Sequence, residues 1–254
     1  MAITIKSERE IELMAEAGKI LERVHNELEK ALRPGMSTKD IDTLGEEIIR
    51  SYGCIPSFLN YNGYPASICV SVNQEVVHGI PDKHRIIQEG DIVSLDAGVI
   101  YKGYHSDAAR THAVGEVSEE AKKLIRVTEE SFFEGIKFAK AGNHLFDISG
   151  AIGRYAEERG YGVVRDLCGH GIGTALHEAP EIPNYEVGRK GVRLRPGMTL
   201  AIEPMINIGT HEVDWLDDDW TVVTRDGSLS AHYENTILIT EGEPRILSLT
   251  CENE

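Results

Sequence analysis

The sequence predicts an α/β protein built from two related halves that share one sheet, and three observations carry that prediction. Helical and strand-like runs come in the order helix, helix, strands, and then in the same order again. Gly35, Asp40, Ile41, Gly53, Gly90 and Asp96 return as Gly142, Asp147, Ile148, Gly160, Gly197 and Glu203, each 107 positions later. No Pro/Gly/Ser-rich linker divides the halves, so a single domain over residues 1–254 is expected, with pseudo-repeats near 7–117 and 118–245.

Ser7, Glu8, Arg9 and Glu10 have the form of a capping box, in which serine and glutamate satisfy each other's free N–H groups at a helix start. Ile11, Met14, Leu21, Val24, Leu28 and Leu32 then recur at helical spacing until Pro34 and Gly35 end the run. A second helix is expected from Thr38 to Tyr52, stopped by Gly53. Residues 66–72 (ASICVSV) and 91–100 (DIVSLDAGVI) read as buried strands, with a more polar return through GYHSDAARTHAV. Ser118 opens a third helix that carries Leu124, Val127, Phe132, Phe133, Ile136 and Phe138. A fourth spans about Leu145 to Arg159. Strand-like segments follow in GVVRDLCGHGIG, GMTLAIEPMINI, WTVVTRD and NTILIT.

Composition narrows the function. With 26 basic against 42 acidic residues and a net charge of −16, the chain lacks the clustered Lys and Arg that neutralise phosphates, so nucleic-acid binding is not expected. No apolar run reaches the roughly 20 residues of a membrane span, and MAITIKSEREIELM lacks the long apolar core of a secretory signal. A cytoplasmic protein with no membrane partner is expected. Cys54, Cys69, Cys168 and Cys251 show no CxxC spacing and read as isolated buried thiols.

The chemistry lies in acids set where acids are expensive. Asp96 ends an apolar run that begins at Ile92, and Asp107 follows eleven residues later; Glu203 sits in LAIEPMI and Glu234 opens ENTILIT. Taken singly, each reads as a hydrogen-bonded or ion-paired structural carboxylate. Together they are four carboxylates in β-like segments with few Lys or Arg to neutralise them, Arg110 being the nearest. Such a set repels itself unless protons or cations intervene. His170 and His177 lie in the Gly-rich stretch GHGIGTALHEAP. Four carboxylates and one imidazole would satisfy two divalent cations about 4 Å apart, with two acids bridging. Oxygen donors with one nitrogen and no thiolate suit Mn²⁺, Fe²⁺ or Co²⁺, with Zn²⁺ as a further option. That pair would lower the pKa of a shared water and direct the resulting hydroxide at a carbonyl, which is metal-assisted hydrolysis.

The ordered set His78 (VVHGIP), Asp96 (LDAG), Asp107 (HSDAART), His170 (GHGIG), His177 (LHEAP), Glu203 (IEPM) and Glu234 (YENT) resembles type I methionine aminopeptidase over nearly the whole chain. The resemblance implies the pita-bread fold, two pseudo-symmetric αβ halves around a central, mostly antiparallel sheet. It implies Asp96 as a ligand to one metal, Asp107 and Glu234 as bridges, and His170 and Glu203 on the other metal. His78 and His177 are then catalytic residues that face the scissile peptide, and Glu203 also shuttles a proton. Tyr61, Tyr64, Cys69 and Trp220 line a methionine slot in this resemblance, with Phe58 and Leu176 at its edge, where some relatives carry Cys and Phe. Asn73 and Ser230 would form a monovalent-cation site. The implied substrate is a nascent polypeptide with N-terminal methionine and a small second residue, met by transient ribosome contact, and the enzyme is expected as a monomer. His25, His84, His105, His112, His144, His211 and His232 read as surface residues or as neighbours of the ligands, His232 sharing a face with Glu234 if that segment is a strand.

Two other readings remain at this point. An X-Pro dipeptidase or aminopeptidase P shares the fold and the metals, but carries an additional N-terminal domain for which this chain has no room. A non-catalytic binding protein of the same fold loses metal ligands, whereas all five stand here.

Overall fold

Local chemistry accounts for where the helices begin. The computed structural model describes residues 3–249. Helix α1 (Glu8–Ala31) is capped by Ser7, whose side chain accepts from the Glu10 N–H while the Glu10 carboxylate accepts from the Ser7 N–H at 2.8 Å. Helix α2 (Thr38–Ser51) uses Ser37 and Asp40 in the same way. The strands of the first half are β1 (Ile55–Pro56), β2 (Ile68–Val72), β3 (Glu75–Val77), β4 (Ile92–Tyr101) and β5 (Tyr104–Ala113). Helices α3 (Glu119–Ile136, capped by Ser118) and α4 (Leu145–Glu157) open the second half. Its strands are β6 (Gly162–Val163), β7 (Gly169–Gly171), β8 (Glu178–Ile182), β9 (Thr199–Ile202), β10 (Met205–Asn207), β11 (Val213–Trp215), β12 (Val222–Thr224), β13 (Ser230–His232), β14 (Glu234–Leu238) and β15 (Arg245–Ile246).

The main sheet runs β1-β4-β5-β14-β9-β7-β8, with β2 also on β4 and β15 also on β14, and its described pairings are antiparallel. The expected sheet shared by the two halves is there, β5 of the first pairing with β14 of the second. Two small three-stranded sheets, β13-β10-β6 and β11-β12-β3, stand beside it. Pro204 separates β9 from β10, so the continuous strand-like run GMTLAIEPMINI is divided between two sheets. The run GVVRDLCGHGIG divides likewise into β6 and β7.

Period-two alternation decides which face carries what. Val93, Leu95, Ala97 and Val99 of β4 pack with Ala17, Leu21, Val24 and Ile49 of α1 and α2. Ile237 and Ile239 pack with Phe132, Ile148 and Ile152 of α3 and α4. Burying each such side chain contributes roughly 1.5–3 kcal/mol. Asp96 and Glu234 alternate with these apolar residues and so point to the opposite face of the sheet.

The constant offset links positions of the same conformation. Gly35 and Gly142 have φ of 90° and 93°, and Gly90 and Gly197 have 93° and 86°. An isolated bridge joins Ser37 to Ile86, and another joins His144 to Arg193, the same two places one repeat apart.

Candidate metal centre and substrate pocket

Four elements of the central sheet deliver the acids. The β4–β5 hairpin sets Asp96 opposite Ala109 and Gly98 opposite Asp107, so the two aspartates lie diagonally on one face. Strand β14 places Glu234 opposite Ala109, and Glu203 follows directly after β9. His170 comes from β7. Asp96, Asp107, His170, Glu203 and Glu234 all line one cavity of about 130 Å³, together with His78 and His177.

The distances within it fit cation binding. His170 Nε2 lies 3.7 Å from Asp107 Oδ2 and 3.7 Å from Glu203 Oε1. Asp107, His170 and Glu234 form one group whose ligand atoms all lie within 4.8 Å of each other, and Glu203, His232 and Glu234 form another. Glu234 belongs to both. Asp96 stands outside these groups but lines the same cavity, and repulsion from Asp107 and Glu203 acts on its carboxyl.

The electrostatics call for positive charge from outside. Asp96 Oδ1, Asp107 Oδ1 and Glu234 Oε1 are buried without a hydrogen-bond partner. Burial pushes the Asp107 carboxyl up to about 8, and burial together with neighbouring carboxylates raises Asp96, Glu203 and Glu234 well above the usual range. Arg110, the expected neutralising candidate, does not meet these acids. Its guanidinium donates to the backbone carbonyls of Ala109 and Glu234 and to Asn235 Oδ1, and lies over the Tyr233 ring. Burial also holds the His170 imidazole down at about 3, so it offers a lone pair rather than a charge. Its Nδ1–H donates to the Gly171 carbonyl at 2.9 Å, which leaves Nε2 as the free lone pair facing the acids. Unpaired carboxylate oxygens and an oriented neutral imidazole are the donor set that a pair of divalent cations requires.

The two remaining histidines frame the cavity. His177 meets His170 edge to face at 4.2 Å between centroids, and its Nδ1 shares a hydrogen bond of 2.8 Å with the Tyr61 hydroxyl. His78 sits at φ 59°, a left-handed conformation that costs energy in a residue with a side chain. The chain is pressed close there: a Cβ on Gly79 would stand 2.4 Å from the Val70 carbonyl oxygen. The residues expected to form the methionine slot also converge. Phe58, Tyr61, Tyr64, Cys69, Leu176 and Trp220 line the same cavity as the acids. Tyr64 and Trp220 rings meet edge to face at 5.1 Å, and the Tyr64 hydroxyl donates to the Gly79 carbonyl at 2.9 Å. The acidic run around Trp220 has a local purpose, since Asp218 Oδ1 accepts from the N–H groups of Trp220 and Thr221 at 2.9 and 2.7 Å and so fixes the turn that carries the indole. A wider depression of about 710 Å³ continues from His78, His170, His177 and Glu203 towards Cys168, Glu181 and Arg189.

Some sequence expectations need correction. His25 is buried away from the acids, against the Ala108 carbonyl, rather than on the surface, and Cys168 is only partly buried; His105 and His232 are buried, His232 beside Glu203 and Glu234. Cys251 lies outside the described residues. Asn62, which also lines the cavity, was not singled out, and His232, whose Nε2 lies 3.8 Å from Glu203 and from Glu234, was named only as a neighbour of the ligands. The one available signal for His232 was its place two residues before Glu234. Asn73 and Ser230 do meet, the Ser230 N–H donating to the Asn73 carbonyl at 2.9 Å.

A carboxylate-rich, cation-seeking centre at the wall of an apolar cavity on this fold defines a metallohydrolase. The model of metallopeptidase family M24 matches residues 12–241. Methionine aminopeptidase of Clostridium acetobutylicum is 58% identical over 250 residues, which cover 98% of this chain and 100% of that protein. The crystal structure of methionine aminopeptidase from Thermotoga maritima superposes with a TM-score of 0.96 at 48% identity, covering 98% of this chain and 100% of that one. The Xaa-Pro dipeptidase of Bacillus anthracis shares the architecture at a TM-score of 0.77 and 28% identity, but 97% of this chain covers only 62% of that longer one. The chain belongs to metallopeptidase family M24, and its fold is the pita-bread fold.

Proposed function

We propose that the protein is a methionine aminopeptidase, a single catalytic domain that removes N-terminal methionine from nascent polypeptides whose second residue is small. The observation that carries this reading is the junction of the acid cluster with a small cavity of about 130 Å³ lined by the rings of Phe58, Tyr61, Tyr64 and Trp220 and the Cys69 thiol. Asp96, Asp107, His170, Glu203 and Glu234 would hold two divalent cations, with Mn²⁺, Fe²⁺, Co²⁺ and Zn²⁺ matching the donors. Bound there, the cations supply Lewis-acid polarisation of the scissile carbonyl and an acidified water.

The protein's own groups do the rest. Tyr64, Cys69, Phe58, Leu176 and Trp220 take the thioether side chain and exclude water from it. Tyr61, donating its hydroxyl proton to Nδ1 of His177, keeps a proton on His177 Nε2, where it stabilises negative charge on the carbonyl oxygen. His78, from the other wall, hydrogen-bonds the scissile peptide. Glu203 accepts a proton during attack and returns it to the leaving amine. The wider depression takes the peptide beyond the cleaved bond. Asn73 and Ser230 frame a monovalent-cation site, and the enzyme works as a cytoplasmic monomer in transient contact with the ribosome. No helix among the described residues is long and apolar enough to cross a membrane.

Competing the tripeptide Met-Ala-Ser against an Ala-Pro dipeptide tests this reading. Release of methionine from the tripeptide with little cleavage of the dipeptide is expected. Cleavage of the X-Pro bond alone would move the protein to the dipeptidases, and no cleavage of either by metal-loaded protein would make it a binding protein.

A further inference from the structure

His232 has no part in the five-residue ligand set, yet the structure gives it nothing else to do. Its backbone is pinned on both sides by one hydroxyl: the His232 N–H donates to Thr111 Oγ1 at 2.9 Å, and that hydroxyl donates to the His232 carbonyl at 2.9 Å. Its ring is 2% exposed, and neither nitrogen has a hydrogen-bond partner. A buried polar ring with both nitrogens unused is costly, and such groups call for a specific explanation.

The ring is aimed at the metal centre. Strand pairing sets His232 opposite Met205, two residues past Glu203, and the strand period puts it on the face of Glu234. Nε2 lies 3.8 Å from Glu203 Oε2 and 3.8 Å from Glu234 Oε2. These separations are too long for hydrogen bonds. They suit two donors on one ion, because atoms each about 2.1 Å from a cation lie about 3–4 Å apart. His170, the ligand implied by the resemblance, stands at nearly the same 3.7 Å from its own two acids. Glu203 therefore lies between two imidazoles, with Oε1 towards His170 and Oε2 towards His232. A lone pair facing two carboxylate oxygens is repulsive unless a proton or a cation lies between them, and 3.8 Å is too long for a shared proton but suits a cation. No hydrogen bond to Nδ1 fixes the tautomer, so the ring can leave that lone pair on Nε2.

Resting on the proposed dinuclear centre, we propose that His232 Nε2 is a sixth protein ligand, binding the cation that Glu203 and Glu234 also hold. That cation, which Glu203 shares with His170, would then carry two imidazoles, one on each side of the Glu203 carboxylate. A nitrogen donor favours Co²⁺ and Zn²⁺ over Mn²⁺.

The test is nitrogen-15 NMR of the histidine side chains in full-length protein loaded with two equivalents of ¹¹³Cd²⁺. The Nε2 resonances of both His170 and His232 should be split by cadmium. In His232→Gln, assigned alongside, one split resonance should disappear, and the preference for Co²⁺ over Mn²⁺ should fall at least about tenfold. Splitting at His170 with an unsplit His232 would overturn this inference and leave the five-ligand centre standing. The wild-type spectrum decides the question even if the variant does not fold. No cadmium bound at any histidine would overturn the metal reading of the whole centre, and this inference with it.

Discussion

His78 and Asp107 line the same cavity but answer to different neighbours, and substitution should separate them. Asp107 stands within ligand distance of His170 and Glu234, so Asp107→Ala should lose bound metal and activity together. His78 belongs to neither ligand group and meets Trp220 at 6.3 Å between ring centroids. His78→Ala should therefore keep its metal and lose turnover about 10²-fold or more. Elemental analysis beside a methionine-release assay distinguishes the two, and equal metal loss would contradict the assigned roles. At this scale the acids were legible where a charge stood in or beside an apolar run, as at Asp96, Glu203 and Glu234. His232 was legible only through its place two residues before Glu234, because the short stretch from Ser230 to Tyr233 carries no signal of its own that it is a buried strand. What buries it is strand β10, which contributes Met205 from a distant part of the chain.

The seam between strands β5 and β14 holds the centre together. Backbone pairing there covers Glu234 with Ala109 and Asn235 with Ala108, and then the Thr236 side chain takes over. Its hydroxyl accepts from the Asp107 N–H at 2.9 Å and donates to the Asp107 carbonyl at 2.9 Å. Thr236→Val keeps the shape and strands both buried backbone groups, so stability should fall by about 1–3 kcal/mol in urea unfolding. A loss of metal affinity should accompany it, since Asp107 is freed from its anchor; unchanged stability and affinity would show that the seam does not depend on the hydroxyl. The long elements were legible because capping boxes and apolar periodicity are local. The helices α1 to α4 and the hairpin β4–β5 lie within a few residues of their expected limits. The short strands β3, β8, β11 and β13 were not. Glu178–Ile182, sequence EAPEI, has no strand-like pattern and becomes β8 only by pairing with Gly169–Gly171.

At the scale of the molecule, the two halves each give acids to one charge-deficient centre, so folding and metal binding are coupled. Burial holds the folded-state Asp107 carboxyl at about 8, against the 3.8 of an ordinary aspartate. Between those values the metal-free folded protein keeps a proton that the unfolded chain has lost, so this group's contribution to stability falls as pH rises towards 8. A cation must displace that proton, and its binding is therefore favoured as the pH rises. The rise in melting temperature on adding Co²⁺ should be larger at pH 8 than at pH 6, and an equal or smaller shift would contradict the coupling.

The most direct measurement is anomalous diffraction from crystals grown without added metal and then soaked with Co²⁺, with methionine release assayed on the same preparations. Two anomalous peaks flanked by Asp107 and Glu234, and activity that vanishes on chelation and returns with cobalt, are the expected result. Undiminished release of methionine by rigorously metal-free protein would contradict the account.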